Sequence, residues 1–504
     1  MKKTLITLLV ILIAIPSFSK KKPNVIVVLA DDVGTGDISF YRKKHSQDIK
    51  VETPNLDKIA SQAMVFTNAH SPAALCAPSR YAIMTGNSCY RSDYPWGVWG
   101  AYEKSPLKED QLTLGKLMKE AGYNTAFFGK WHLGGDYRRK DNPEKIYRGP
   151  RWKPELEVDI TEVIGGDPLS NGFDYSFMYP AGIQDVPYAV YENNKWMPLA
   201  DDSEITFISK ENMLKKDVKL DKSEGLGDSN WDAHNMGPLL VAKGVNYINE
   251  QASEKNPFFM YYCSQAVHLP HTPPDSLNGI AIKGTTPSHH LDMIKEMDVQ
   301  MGMLVDALKE NGEYDNTIFI FTSDNGGLTF KETMETGHRP SNIYRGGKNQ
   351  IHEGGHRVPF IVSWPNEIKK GSSDEPILGL DIMSTLAHIS DLTIAENQAM
   401  DSHNLWPILN GSKNAKGHPY LMVQGGTAKE VAIIEDGWKL IIQIDKKDKT
   451  DNTRTPKALF NLINNPGEKQ DQNKLNDPEQ KGRVKKLFDK YNRLRDGKEV
   501  TAKR

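Results

Sequence analysis

The chain has 504 residues, enough for several domains or for one large α/β domain with an appendage. Hydrophobic residues make up 38% and charged residues 25%, which excludes a disordered, collagen-like or polytopic membrane chain. Lys and Arg number 63 against 65 Asp and Glu; a net charge of −2 offers no global basic field to nucleic acid, and three cysteines cannot build a disulfide scaffold.

In chain order, residues 1–19 read as an export signal. Lys2 and Lys3 precede an apolar stretch over 4–15, and Ser17 and Ser19 are the small residues before a cut. The stretch is shorter than the roughly 20 residues a membrane-spanning helix needs. The mature protein is therefore expected in the periplasm or outside a bacterial cell, with no stable membrane insertion and, without the two lysines, a net charge of about −4.

Residues 24–30 (NVIVVLA) are continuously apolar and β-branched, as in a strand covered on both faces. Segments 125–128, 257–264, 317–322 and 358–364 have the same texture. Helix-period residues fill 54–64, which opens on Thr53 and Pro54, and also 112–120, 238–250 and 289–309. This alternation predicts an α/β fold, a large, mostly parallel but mixed sheet sandwiched by helices. The catalytic domain is read over 20–412. From 413 to 504, short strands at 431–434, 438–444 and 458–462 and a helix carrying Val484, Leu487, Phe488, Tyr491 and Leu494 predict a small antiparallel sheet with a packed helix.

Two acidic pairs follow predicted strands directly: Asp31-Asp32 after 24–30 and Asp324-Asn325 after 317–322. In open α/β sheets ligands bind beyond the carboxyl ends of strands, so pairs almost 300 residues apart can converge there. Three carboxylates and an amide oxygen suit Ca²⁺ or Mg²⁺, whereas Zn²⁺ calls for His or Cys. Taken singly, each pair reads equally well as a turn. Cys76 opens CAPSRYAIMTG, where Pro78 suits a first helical turn and Gly86 a helix end; Arg80 stands one turn on. A buried free thiol and a thiol nucleophile with a His base both remain open readings of Cys76. Cys89 and Cys263 are expected as free, buried thiols.

The chain here resembles the type I, formylglycine-dependent sulfatases of the alkaline phosphatase superfamily, the arylsulfatase-like carbohydrate sulfatases among them. Their pattern C-x-P-S-R followed by T-G stands at 76–86. Further blocks follow in family order: DDVGTGD at 31–37, GKWHLG at 129–134, HLPH at 268–271, SDNGG at 323–327 and GGKNQIHEGGHRVP at 346–359. The resemblance implies an alkaline phosphatase-like fold and an exported enzyme that hydrolyses a sulfate ester on a polysaccharide or oligosaccharide. It implies that a maturation enzyme oxidises Cys76 to formylglycine (3-oxoalanine). One divalent cation, Ca²⁺ with Mg²⁺ as the alternative, would be held by Asp31, Asp32, Asp324, Asn325 and an oxygen of modified Cys76. Arg80 would steady the hydrated aldehyde, Lys130 and Lys348 would bind sulfate oxygens, His268 would be the general acid and His132 the base that regenerates the aldehyde.

His271, His338, Arg339 and Trp99 are candidate substrate contacts, with Asn342 beside them; His352 and His356 flank the Lys348 loop. Trp96, Trp99, Tyr102, Trp131, Tyr137, Tyr147 and Trp152 are aromatics of the kind that stack on sugars, although some must be core. A phosphodiesterase or phosphonate monoester hydrolase of the same superfamily, and a non-catalytic glycan-binding relative, are the competing readings.

Overall fold

The computed structural model describes residues 21–45, 47–149, 157–211, 224–426, 429–445, 453–497 and 501. The export signal read at 1–19 and Trp152 lie outside these residues. Among the described residues no helix is long and apolar enough to cross a membrane.

Ten strands form the main sheet. Across it they run Gly371–Ser373, Met64–Phe66, Phe360–Ser363, Thr317–Ser323, Asn24–Ala30, Phe258–Cys263, Asn124–Lys130, Tyr175–Ile183, Val190–Glu192 and Lys195–Met197. The five strands from Thr317–Ser323 to Tyr175–Ile183 pair in parallel, while both flanks bring in antiparallel pairings. The central strand Asn24–Ala30 is buried along its whole length, as its unbroken apolar run requires.

Helices occupy the intervals the periodicity marked: Pro54–Ala60, Leu114–Glu120, Met236–Gln251 and His289–Glu310. The first ends earlier than the apolar pattern suggests, because Met64 begins a short strand instead. The chain closes with a four-stranded antiparallel sheet, Leu421–Gln424, Glu430–Glu435, Trp438–Asp445 and Thr453–Asn461. Against it packs the helix Lys481–Asp496, which buries Leu487, Tyr491 and Leu494.

Candidate active site

Register decides what meets at the carboxyl edge of the sheet. Ala30 lies opposite Ser323, Leu29 opposite Cys263, and Cys263 opposite Gly129. Four neighbouring parallel strands therefore end at one level, and the residues just beyond them emerge side by side: Asp31-Asp32, Asp324-Asn325, the loop to His268, and Lys130 with His132. Gly129 has φ +89°, and a Cβ there would lie 1.9 Å from the Cys263 carbonyl oxygen, so this end of the sheet admits no side chain at that point.

The carboxylates of Asp31, Asp32 and Asp324 offer oxygens that all lie within 4.8 Å of one another, and all three side chains are buried. The backbone N–H of Asp32 donates to Asp324 Oδ1 at 3.1 Å, and Asn325 Nδ2 donates to Asp32 Oδ1 at 2.8 Å. Two buried oxygens of the group, Asp31 Oδ1 and Asn325 Oδ1, accept no hydrogen bond. Converging carboxylate oxygens with unfilled acceptor capacity fit a hard divalent cation and fit Zn²⁺ poorly.

Positive charge surrounds the cluster. Lys130 Nζ donates to Asp31 Oδ2 and to Gln184 Oε1, each at 2.7 Å. Lys348 Nζ reaches Asp32 Oδ2 at 2.7 Å, and Arg80 reaches Asp324 Oδ2 at 2.7 Å while also donating to the Lys130 carbonyl at 3.0 Å. Burial opposes ionisation of Asp31, but Lys130, His268, Arg80 and Lys348 outweigh it and hold this carboxyl below its ordinary range. Asp324 is pushed up, chiefly by burial and further by Asp31 and Asp32, against the pull of Arg80.

Cys76 is the first residue of the buried helix Cys76–Thr85, which Gly86 terminates at φ +67°. Burial pushes its thiol up, while Lys130 and Lys348 pull it down and Asp324 and Asp31 push it further up; the side chain thus lies within electrostatic reach of the whole cluster. His268 Nδ1 faces the Leu269 carbonyl oxygen at 2.8 Å and so carries the proton there, leaving Nε2 3.7 Å from Asp32 Oδ2. Burial depresses the imidazole of His268, as do Lys348 and Lys130. Burial likewise depresses His132, together with Lys130 and Arg80, and His132 Nδ1 has no hydrogen-bond partner.

The ten residues read from the sequence as metal ligands and catalytic groups thus share one site; the substrate contacts fare differently. His338 is fully buried and its Nε2 pairs with Asp37 Oδ1 at 2.7 Å, so it braces the turn after Asp32. His271 stacks on His290 and meets Phe330 edge-on. Arg339 is exposed and donates to the carbonyls of Met334 and His338. Trp99 packs on Tyr81 and Tyr94 beside a different cleft. Of the neighbouring aromatics, Trp96, Tyr102, Trp131, Tyr137 and Tyr147 are all buried, and these supply the part of the group expected in the core. Cys89 and Cys263 are free and buried.

Two participants went unread in the sequence. Gln184, the second partner of Lys130, follows the strand Tyr175–Ile183, whose Pro180 and Gly182 obscure its pattern. Asp37, which also accepts from the Gly34 N–H at 2.7 Å, stands inside DDVGTGD without a role assigned. A second compact group, His70, Glu353 and His356, carries its own cation: Lys439 Nζ lies 3.1 Å from Glu353 Oε1 and 3.0 Å from His356 Nε2.

Residues 23–392 match the family model described as Sulfatase. The chain is 30% identical over 495 residues to an N-acetylgalactosamine-6-O-sulfatase of Bacteroides thetaiotaomicron, covering 90% of this chain and 89% of that one. It is 27% identical over 403 residues to the N-acetylgalactosamine-6-sulfatase of Homo sapiens, covering 78% of this chain and 67% of that protein. A solved structure, described with the metabolism of multiple glycosaminoglycans by Bacteroides thetaiotaomicron, superposes with a TM-score of 0.78 at 27% identity, over 95% of this chain and all of that one.

Proposed function

From the premise that this chain belongs to the sulfatase family and is a sulfuric ester hydrolase, we propose that it is exported and removes a sulfate ester from a glycosaminoglycan-type carbohydrate, with 6-O-sulfated N-acetylgalactosamine the first substrate to try. The observation that carries this reading is the convergence of an acidic oxygen cluster, two lysines, an arginine, two histidines and Cys76 beyond four adjacent strand ends.

Modified to a hydrated aldehyde by a formylglycine-generating enzyme, position 76 would supply both the attacking hydroxyl and the one whose deprotonation releases sulfate. A divalent cation held by Asp31, Asp32, Asp324 and Asn325, Ca²⁺ by its all-oxygen donor set, would neutralise sulfate charge and favour ionisation of the attacking hydroxyl.

Around these groups the chain's own residues bind and move protons. Lys130 and Lys348 hold the sulfate oxygens and oppose the charge that gathers on them in the transition state. Arg80, fixed by Asp324 and the Lys130 carbonyl, orients position 76. His268 holds a proton on Nε2 for the departing sugar oxygen. A sulfate anion between the two lysines offsets the positive charge that depresses this imidazole, so substrate binding itself prepares the acid. His132, held neutral with Nδ1 unpaired, accepts the proton whose loss expels sulfate.

The test is sulfate release from defined sulfated sugars by enzyme produced with its maturation partner, alongside intact mass. Turnover is expected together with a mass about 18 Da below the unmodified thiol form, or unchanged within hydration. Cys76→Ala is expected to fold and lose turnover. Matched phosphate esters turned over more than about tenfold faster, a difference of about 1.4 kcal/mol, would replace this reading with the phosphodiesterase one.

A further inference from the structure

The ammonium of Lys130 is gripped from two sides. Its Nζ donates to Asp31 Oδ2 and to Gln184 Oε1, each at 2.7 Å, and all three residues are buried. A lysine ammonium has three N–H donors and no acceptor. Two of them are taken by these oxygens. That leaves one N–H for a sulfate oxygen and, because the other two are fixed, gives it a single direction. The same chemistry settles how the Gln184 amide faces: an ammonium can only donate, so Oε1 and not Nε2 stands against it.

Gln184 reaches this place because the chain bends. Tyr179 lies level with Lys130 in the paired strands, so a straight strand would carry position 184 about 16 Å past that level. The path turns at Gly182, whose φ of +73° lies outside the β region. Beyond Gln184 the segment is anchored again. The Tyr188 N–H donates to the Leu226 carbonyl at 3.0 Å, and the Asp228 N–H donates to the Tyr188 carbonyl at 2.9 Å. The Tyr188 ring packs on Trp231 at 5.8 Å between centroids. Gln184 Oε1 is thus presented from a segment pinned on both sides.

The two grips differ in charge. Asp31 is an anion and neutralises Lys130, whereas Gln184 is a neutral acceptor that fixes the ammonium and leaves its charge in place. A carboxylate at position 184 would hold the nitrogen equally well, but the three groups together would then be negative and would oppose a sulfate. An apolar side chain of similar length would keep the charge and lose the direction.

We propose that Gln184 is a positioning residue for sulfate transfer: it aims the remaining N–H of Lys130 at the sulfate without neutralising that lysine. The proposal rests on the sulfatase reading, in which Lys130 binds sulfate, and extends it to a residue that acts through the lysine.

The test sets Gln184→Glu beside Gln184→Met in the matured enzyme. It reads kcat and KM on a sulfated sugar, the affinity for inorganic sulfate by calorimetry, and a thermal melt. Gln184→Glu is expected to weaken sulfate binding about tenfold or more, because a charge has been added beside the anion. Gln184→Met is expected to leave sulfate affinity within about twofold and to lower kcat about tenfold, the scale of one lost hydrogen bond to a charged group. Gln184→Asn, which keeps the amide but falls one methylene short, is expected to follow Gln184→Met. Equal effects of Gln184→Glu and Gln184→Met on both quantities would reduce Gln184 to packing, and unchanged kcat in Gln184→Met would show that Asp31 alone holds the lysine; either result overturns the proposal. If Gln184→Glu does not fold, the split between kcat and sulfate affinity in the other two variants decides. If wild type releases sulfate from no ester, the sulfatase reading itself fails. Sulfate binding lost in Gln184→Glu and kept in Gln184→Met would then still support Gln184 as the neutral partner of an anion site, and no sulfate binding by wild type would overturn it.

Discussion

Lys130 Nζ lies 2.7 Å from Asp31 Oδ2 with both side chains sealed from water, although 99 positions separate them in the chain. The lysine has no slack. Its stem passes so close to Gly182 that a Cβ on that residue would stand 2.9 Å from Lys130 Cδ. Lys130→Ala is expected to lower kcat/KM by roughly 10²- to 10³-fold, the scale of a lost transition-state charge partner. Lys130→Arg is not expected to rescue it, for want of room. Gly182→Ala, far milder on paper, is expected to lose activity too, because it displaces the ammonium. Steady-state kinetics with a thermal melt check all three; an active Gly182→Ala would show the lysine is not held by that contact.

Chelation follows from the crowding of Asp31, Asp32 and Asp324. Even with Lys130, Lys348 and Arg80 beside these carboxylates, Asp31 Oδ1 and Asn325 Oδ1 accept no hydrogen bond, and a bound cation stabilises the folded state by about 2.7 kcal/mol at a hundredfold excess over its Kd. EDTA is expected to lower both activity and melting temperature, with Ca²⁺ restoring both. Asp324→Asn is expected to weaken the Ca²⁺ dependence of the melt. A melting temperature indifferent to chelator and Ca²⁺ would argue against a cation here.

The central fold was legible because its strands are buried on both sides and therefore read as unbroken apolar runs. Strands outside that regime escaped. Met64–Phe66 continued a helical apolar period, Tyr175–Ile183 carries Pro180 and Gly182, and in Thr453–Asn461 only the buried end at Ala458–Phe460 has strand texture. The acidic cluster was legible for a topological reason: ligands from neighbouring parallel strands must appear right after those strands. For His338 and the aromatics, sequence gives residue type but not facing. A histidine in a polar loop looks open to solvent until Asp37 is found beneath it.

Glu296 offers a pH test remote from the cluster. Its carboxyl is buried, accepts at Oε1 from Gln265 at 3.1 Å and Gln300 at 3.0 Å, and leaves Oε2 without a partner. Burial pushes it up to about 8, only partly offset by the two amides. The folded state therefore holds this proton more tightly than the unfolded one. The stability it lends is complete below the unfolded value of 4.5 and drains away as pH climbs towards about 8. Glu296→Gln keeps the Oε1 acceptor and cannot ionise. The variant is expected to gain on wild type in urea midpoint as pH rises from about 5 to 8. A constant difference across that window would mean that Glu296 ionises normally.

Lys439 joins the C-terminal sheet to the loop that carries Lys348, and its side chain is fully buried. Its ammonium meets Glu353 Oε1 and Glu468 Oε1 at 3.1 Å each, and donates to His356 Nε2 at 3.0 Å. The His356 and His70 Nδ1 atoms lie 2.9 Å apart, and His70 Nε2 reaches Asn68 Oδ1 at 2.9 Å, so removing the lysine disturbs a continuous chain of buried partners. Breaking a buried ion pair from one side costs about 3–5 kcal/mol, because the other charge stays desolvated. Arg357 still neutralises part of Glu353, at 3.0 Å from its Oε2, but buried Glu468 loses the same lysine, which places Lys439→Met within that range. Glu353 begins the helical turn five residues after Lys348, so the same variant is expected to lower kcat/KM although residue 439 touches no candidate catalytic group. Urea unfolding and kinetics measure the two effects. Lost stability with unchanged kcat/KM would show that the C-terminal sheet supports the fold without setting the position of Lys348.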